Sequence, residues 1–189
     1  MAQKKVNAVI HSQEKLAEGI YSMWLDAPEM AKAAAPGQFI AVYTNDQSKL
    51  LPRPISICEA DKENGRLRIV YRIAGAGTKE FSAYKEGDTL DIMGPLGNGF
   101  PLKKKKAFLI GGGIGIPPML ELAKNLDCEK TAVIGYRDKD TFLADELRKY
   151  ADVVIATEDG SVGTKGNVID AIRAEKLTAD IIYACGPTP

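Results

Sequence analysis

Short apolar stretches separated by polar or Gly/Pro clusters characterise the first hundred residues. Six of the stretches are rich in β-branched and aromatic residues, which favours β-strands. They cover residues 6–10, 20–25, 39–43, 55–59, 67–71 and 89–93. Six strands at this spacing predict a small antiparallel barrel. A helix is predicted at residues 78–84, where Phe81 and Tyr84 share one face and Gly87 follows the end.

The pattern changes after residue 101, where apolar strands alternate with segments of helical spacing. Strands are predicted at residues 107–110, 132–136, 153–157 and 181–184, and helices at residues 118–125, 142–150 and 168–174. Continuous apolar strands that alternate with helices indicate a parallel sheet covered on both faces. The chain is therefore expected to form two domains, a β-barrel at residues 1–101 and an α/β domain at residues 102–189. The four lysines at residues 103–106 are interpreted as a solvated linker.

The last predicted strand is followed by ACGPTP, where the sequence stops. A strand buried on both faces is normally followed by a helix that covers one of them. We therefore expect the α/β domain to be truncated at its C-terminus.

Composition excludes several functional classes. The 189 residues contain 25 basic and 25 acidic side chains, and this zero net charge argues against nucleic acid as a partner. The longest apolar runs are far shorter than the ~20 residues of a membrane helix, and the N-terminus lacks a signal-peptide core, so we expect a cytoplasmic protein without a membrane partner. The three cysteines fit a reducing compartment and are too few for the usual four ligands of an iron–sulfur cluster. No metal site is predicted.

A glycine-rich turn joins the first strand of the second half to its helix. Gly111, Gly112, Gly113 and Gly115 leave the backbone N–H groups open to a ligand, and the following helix start favours negative charge. The spacing is G-x-G-x-G, which differs from the G-x-G-x-x-G fingerprint and from a P-loop. From this stretch alone, nucleotide binding and simple tight packing both remain open.

The tetrad Arg53-Pro54-Ile55-Ser56 is the most informative motif of the barrel half. An arginine fork can bind a diphosphate bidentately, and a nearby hydroxyl can hydrogen-bond a flavin ring edge. Arg72 and the Gly-Ala-Gly-Thr turn at residues 75–78, followed by a helix start, add further groups suited to an anion. The barrel is therefore expected to bind one pyrophosphate.

Taken in order, these motifs resemble the ferredoxin-NADP reductase superfamily of flavin and nicotinamide proteins. Within it, RPISI, VYRIAGAGTKEF, MGPLGNGFP, ATEDGSVGTKG and YACGP resemble the electron-transfer subunits of type B dihydroorotate dehydrogenases. The resemblance covers residues 39–187, nearly the whole chain. It implies an antiparallel β-barrel FAD domain followed by a ferredoxin reductase-like, parallel-sheet α/β domain that binds NAD.

The resemblance also assigns site residues. FAD would be held by Arg53, Pro54, Ile55, Ser56, Val70, Tyr71, Arg72, Gly77 and Thr78. NAD would be held by Gly111, Gly112, Gly113, Gly115, Glu158, Asp159, Gly160, Cys185, Gly186 and Pro187. Ser56 near flavin N5 and Cys185 near the nicotinamide ring would be the catalytic residues. Plant-type members carry a flavin-stacking aromatic residue where this chain has Ile55.

The chemistry implied is hydride transfer between flavin N5 and nicotinamide C4. In the family, electrons from dihydroorotate pass from the FMN of a catalytic partner subunit through a [2Fe-2S] cluster to FAD and then to NAD, in pyrimidine (UMP) biosynthesis. The assembly implied is a heterotetramer with two copies of each subunit. Glu158 and Asp159 would repel a 2′-phosphate and favour NAD over NADP, and Arg137, expected near the same site, keeps this preference modest.

This chain departs from the family pattern in its cysteines, and two alternative functions remain open. The family's four cluster cysteines lie beyond C-G-P, so this chain is expected to bind FAD but not the cluster. One rival is the small subunit of an NADH-dependent ferredoxin-NADP or sulfide oxidoreductase. The other is a flavin-bearing assembly module without electron transfer. His11 is expected to be an exposed strand residue, and no catalytic triad can be assembled around it and Ser161.

Overall fold

A computed structural model describes residues 5–46 and 50–186. The chain divides into two compact units, Met1–Gly99 and Phe100–Pro189, called here the barrel unit and the sheet unit. No helix in the described ranges combines the length and apolar character needed to cross a membrane.

Six antiparallel strands close the barrel unit into a cylinder. They are β1 (Lys5–Ala17), β2 (Ile20–Asp26), β3 (Phe39–Val42), β4 (Arg53–Asp61), β5 (Arg66–Arg72) and β6 (Thr89–Leu96). Their order around the barrel is β1-β2-β5-β4-β3-β6. Two short helices accompany them, α1 (Pro28–Ala33) and α2 (Ala76–Phe81). The predicted antiparallel barrel is confirmed.

Inward-facing side chains of alternating strand positions fill the barrel. Its core includes Ile10, Met23, Ile40, Ile57 and Ile69, all at most 1% exposed. Burying such side chains stabilises the fold by roughly 1.5–3 kcal/mol each. Tyr71 and Phe81 extend the same core and pack edge to face, with ring centroids 6.0 Å apart.

Helix α2 begins and ends earlier than the sequence pattern predicts. The side-chain amide of Gln13 on β1 donates to the carbonyls of Phe81 (3.1 Å) and Tyr84 (2.7 Å), which takes over backbone acceptors at the helix end. Its oxygen accepts a hydrogen bond from the Tyr71 hydroxyl at 2.7 Å. Burial raises the pKa of Tyr71 well above its usual range, so the phenol stays protonated and can donate this bond.

The sheet unit alternates strands and helices. Its elements are β7 (Ala107–Gly112), α3 (Pro117–Asn125), β8 (Lys130–Tyr136), α4 (Ala144–Leu147), β9 (Asp152–Thr157), β10 (Thr164–Lys165), α5 (Val168–Ala174) and β11 (Ile181–Cys185). A single 3-10 turn, Gly113–Gly115, joins β7 to α3. All the strand pairs are parallel, in the order β10-β9-β8-β7-β11. This confirms the predicted parallel sheet.

Helices α3 and α5 cover the part of this sheet from β7 to β10. Helix α5 packs on β8 and β9, over a core that contains Phe108, Val133 and Ala156. Helix α3 contacts β7, β8 and α4. At the β11 edge, Ile182 is 60% exposed although it pairs with the buried Phe108.

The helix predicted at residues 142–150 is shorter in the structure. The Tyr136 hydroxyl donates to the Phe142 carbonyl at 2.6 Å, and the two rings pack edge to face. Leu143 then adopts a left-handed conformation with φ of 66°. Because a helix cannot include this conformation, α4 starts at Ala144.

Candidate functional site

Arg53 opens β4 and lies against the Gly-rich turn that precedes and begins α2. A Cβ atom added at Gly77 would lie 2.7 Å from Arg53 Nε and 2.9 Å from its Cζ, so the guanidinium occupies the space that any larger side chain needs. Arg53 also donates a hydrogen bond to the Leu51 carbonyl. The structure therefore brings together two of the predicted anion-binding elements, which are far apart in sequence.

Thr78 shapes the turn at residues 74–78. Its hydroxyl oxygen accepts hydrogen bonds from the N–H groups of Ala74 (2.8 Å) and Gly75 (3.2 Å). The same hydroxyl is 3.1 Å from the Gly75 carbonyl, to which it can donate. Thr78 is thus the third residue of α2, and it holds the backbone in front of the helix.

The predicted flavin-binding residues of β4 and β5 divide between the two faces of the barrel wall. Ile55 (8% exposed) and Tyr71 (2% exposed) belong to the barrel core. Strand alternation places Pro54, Ser56, Val70 and Arg72 on the outer face, where Val70 is nevertheless buried (2% exposed). Arg53, two residues before Ile55, shares the alternation of Ile55 at the start of β4. Because Ile55 faces inward, only its neighbours Pro54 and Ser56 lie on the outer face at this point of β4.

The sheet unit has a topological switch point between β7 and β11. From β7 the chain proceeds to β8 and β9 on one side, whereas β11 pairs on the other side, with Cys185 in register with Gly111. In open parallel sheets, ligands bind at the carboxyl ends of the strands where the order reverses. The glycine-rich turn and the C-G-P motif, predicted separately as nucleotide-binding residues, flank this point.

Close backbone approach at the switch point depends on Gly115. A Cβ atom there would lie 2.2 Å from the Cys185 carbonyl oxygen and 2.7 Å from Gly186 Cα. Gly113 adopts φ of +51°, and nothing lies within 4 Å of the position of its missing Cβ. A nucleotide fits this arrangement, because it would meet open backbone at Gly113 and no bulky side chain.

Cys185 ends β11 with a half-buried thiol. Burial raises the pKa of this thiol, so it is neutral at pH 7 and is not an activated nucleophile. Because its side chain is small and uncharged, it can lie beside a planar ring such as the predicted nicotinamide. Gly186 completes the motif within the described residues, and Pro187 lies outside them.

The carboxyl end of β9 carries the predicted acidic residues. The N–H groups of Glu158 and Asp159 donate to the carbonyls of Tyr136 (3.1 Å) and Arg137 (3.3 Å), which ties the ends of β8 and β9 together. Hydrogen bonds from Ser161 lower the pKa of Asp159, so its exposed carboxylate is charged at neutral pH. Gly160 follows with φ of +78°. This loop lies two strand spacings from β7, about 10 Å.

Gln38 is a residue that the sequence pattern did not single out. Its oxygen accepts from the Ala35 N–H at 2.9 Å, and its nitrogen donates to the Gly97 carbonyl at 2.9 Å. This clamp holds the MGPLGNGFP segment beside Phe39, which pairs with Ser56. The signal available in the sequence was the adjacent Pro-Gly-Gln-Phe turn, whose amide side chain can bridge two backbone groups.

No metal-binding group stands out in residues 5–46 and 50–186. The search for three or more His, Cys, Asp or Glu side chains placed to hold an ion finds none there. Cys58 is buried in the barrel unit, whereas Cys128 and Cys185 belong to the sheet unit. These residues do not fit the four-thiolate ligand set of a [2Fe-2S] cluster.

Comparison with known proteins places this architecture in a class. Residues 7–100 match the family model of the oxidoreductase FAD-binding domain. The structure of an NADH-dependent reduced ferredoxin-NADP oxidoreductase superposes with a TM-score of 0.87 at 33% identity, covering 95% of this chain and 67% of that one. The ferredoxin reductase of carbazole 1,9a-dioxygenase shares the fold at a TM-score of 0.77 and 21% identity, over 92% of this chain and 57% of that one. The barrel and the sheet thus define a ferredoxin reductase-like FAD- and NAD-dependent oxidoreductase.

Curated relatives narrow the class to one family. The dihydroorotate dehydrogenase B (NAD(+)) electron transfer subunit of Streptococcus mutans is 47% identical over 96% of this chain and 73% of its own length. The subunit of the same name from Bacillus velezensis is 40% identical over 98% of this chain and 76% of its own length. This chain belongs to the family of dihydroorotate dehydrogenase B electron transfer subunits. The resemblance inferred from the motifs is confirmed.

Proposed function

We propose that this chain passes electrons from FAD to NAD as the electron transfer subunit of a dihydroorotate dehydrogenase, in pyrimidine biosynthesis. The observation that carries the proposal is the switch point of the sheet unit, where the open backbone at Gly113 lies beside the C-G-P motif. Sequence identity of 47% to a curated electron transfer subunit gives that site its substrate class.

FAD would be bound by the barrel unit. Arg53, fixed against Gly77, would bind the pyrophosphate with its guanidinium, while Thr78 keeps the adjoining backbone turn in shape. The outer-face hydroxyl of Ser56 would hydrogen-bond the flavin edge near N5. Ile55 and Tyr71 would act from within the core by keeping β4 and β5 in place.

NAD would be bound by the sheet unit. The residues from Gly111 to Gly115 would give the dinucleotide its backbone contacts, and Cys185 with Gly186 would border the nicotinamide. A bound flavin supplies the redox chemistry, in which one hydride, carrying two electrons, moves from reduced flavin N5 to nicotinamide C4. Such a transfer requires donor and acceptor atoms within about 3–3.5 Å of each other.

The electron donor would be a catalytic partner subunit, as the name of the relatives implies. We propose that this partner oxidises dihydroorotate on FMN and that two copies of each subunit assemble. A [2Fe-2S] cluster between the two flavins would need ligands that residues 5–46 and 50–186 do not provide. No step of the proposed activity is therefore assigned to a cluster on these residues.

Anaerobic spectroscopy tests this function. The protein reconstituted with FAD should lose its flavin absorbance when NADH is added, in a saturable, two-electron reduction. Absence of bleaching at saturating NADH would contradict the electron-transfer proposal and would favour an assembly module.

The second candidate, a ferredoxin-linked oxidoreductase, is favoured by the 33% identity to the reduced ferredoxin-NADP oxidoreductase. Flavin reduction by reduced ferredoxin, but not by a dihydroorotate-oxidising FMN subunit, would support that candidate.

Replacing Asp159 by Asn is expected to weaken discrimination against NADPH. The exposed, charged carboxylate would repel a 2′-phosphate, although water and salt screen this repulsion, so its removal should lower the Kd for NADPH roughly two- to fivefold. The Kd for NADH should change less than twofold. Both constants can be taken from the way the rate of flavin reduction depends on NADPH or NADH concentration in anaerobic stopped-flow measurements.

Asp152→Asn is the matched control, because Asp152 lies at the amino end of β9, and Asp159 follows the carboxyl end of the same strand. This variant should leave both dissociation constants unchanged. If the Kd for NADPH stays the same in Asp159→Asn, Asp159 does not contribute to the choice of nucleotide.

A further inference from the structure

Residues 100–103, called here the entry segment, pack on one side chain of β11. The Tyr183 hydroxyl donates to the Pro101 carbonyl at 2.7 Å and accepts from the Lys103 N–H at 3.2 Å. The Tyr183 ring packs edge to face with Phe100, with centroids 5.6 Å apart, and Tyr183 is 4% exposed. One buried tyrosine thus contacts three of the first four residues of the sheet unit.

Strand β11 depends on this contact more than a central strand would. It is one of the two edge strands of the sheet, and it is bonded to β7 alone among the described strands. Its residues alternate between two faces: Ile182 is 60% exposed on one face, and Tyr183 is buried on the other. Packing against the entry segment therefore fixes β11 from the Tyr183 face, while the opposite face is largely open.

The position of β11 matters because the strand ends at the switch point. Cys185 lies two residues after Tyr183 and points to the same side of the sheet. The Cys185 carbonyl lies in the space beside Gly115 that a methyl group would need, so a small shift of β11 alters the backbone around the glycine-rich turn.

We propose that Tyr183 is a positioning residue for hydride transfer, which locks the entry segment onto β11 and thereby sets the place of Cys185. The inference rests on the proposed function, in which Cys185 borders the nicotinamide. Hydride transfer needs the donor and acceptor atoms at about 3–3.5 Å, and a misplacement of 1 Å can slow a reaction ~100-fold. Loss of both hydrogen bonds of Tyr183 should therefore slow the reaction without abolishing nucleotide binding.

Tyr183→Phe tests the proposal, because phenylalanine keeps the ring packing and removes the hydroxyl. The first measurement needs no cofactor: hydrogen exchange at the Lys103 amide should become at least tenfold faster. The second uses the FAD-loaded protein. The rate constant for flavin reduction by NADH should fall about five- to tenfold and the long-wavelength charge-transfer absorbance should weaken, while the Kd for NADH changes less than twofold.

Tyr150→Phe is the matched control, since Tyr150 lies in the same unit and is 41% exposed. It should leave the exchange rate, the absorbance and the reduction rate unchanged. If hydrogen exchange at the Lys103 amide is unchanged in Tyr183→Phe, the Tyr183 hydroxyl does not hold the entry segment on β11. Faster exchange with an unchanged reduction rate and charge-transfer band would overturn the positioning role. If NADH fails to reduce the flavin of the unsubstituted protein, the proposed function fails, whereas the exchange measurement still decides the lock.

Discussion

Arg53→Ala is expected to purify with less than about a tenth of the FAD bound to the unsubstituted protein after extensive dilution. The guanidinium lies against Gly77 at the entrance to α2 and would form charge-assisted hydrogen bonds with the pyrophosphate. Such a bond contributes about 1.5–3 kcal/mol, so its loss should raise the Kd for FAD roughly 10- to 150-fold. The ratio of flavin to protein absorbance measures the loss directly.

Two companion variants separate the role of Arg53 from a general effect of lost charge. Arg66→Ala removes an arginine of β5 that pairs with Asp26 at 3.0 Å, and it should retain full flavin. Arg53→Lys keeps the charge without the planar fork, and it should retain an intermediate amount. Full flavin in Arg53→Ala would remove Arg53 from the binding site.

Gly115→Ala is expected to slow reduction of the flavin by NADH by about 100-fold or more while leaving FAD bound. The added methyl group would lie 2.2 Å from the Cys185 carbonyl oxygen, so the end of β11 must move. Overpacking of this kind costs about 1–3 kcal/mol, which should lower the Tm of the sheet unit by at least about 5 °C. Displacement of the nucleotide-binding backbone should slow flavin reduction by about 100-fold or more.

Gly113→Asn is the control for Gly115→Ala. It adds a side chain to the same turn at a position where the added Cβ meets no neighbouring atom. Asparagine tolerates the left-handed conformation, and no neighbour lies within 4 Å of the added Cβ. Its Tm should fall by less than about 2 °C. A Gly115→Ala protein that keeps both its Tm and its rate of reduction by NADH would show that β11 and the turn are not tightly coupled.

Local patterns in the sequence predicted all six strands of the barrel, because alternating and apolar stretches report directly on which residues are buried. They located only the start of β1, which runs over Lys5–Ala17 and not only over residues 6–10. They did not predict α1, since six residues are too few to show a clear helical period. Pro28 at its start and Glu29 in its first turn were nevertheless available as signals. Residues 142 and 143, predicted as the start of α4, are not helical for a different reason. The bond from Tyr136 to the Phe142 carbonyl connects a strand to a loop, and no local pattern reveals it.

In the candidate site, too, local features could be predicted from the sequence, whereas contacts between distant residues could not. Gly113 and the residues around it are adjacent in sequence, so their role as a turn could be predicted. The packing of Arg53 against Gly77 and of Gly115 against Cys185 depends on which strands become neighbours. The motif resemblance anticipated these groupings, but not the inward orientation of Ile55 or the contact between Tyr183 and the entry segment.

Strand β7, which leads into the nucleotide turn, gains its second neighbour late. Ala107 pairs with Ile181, the first residue of the last strand in the described ranges. Until residues 181–185 have been synthesised, the N–H and C=O groups on that side of β7 have no partner in β11. An apolar strand edge left open in this way can pair with other chains.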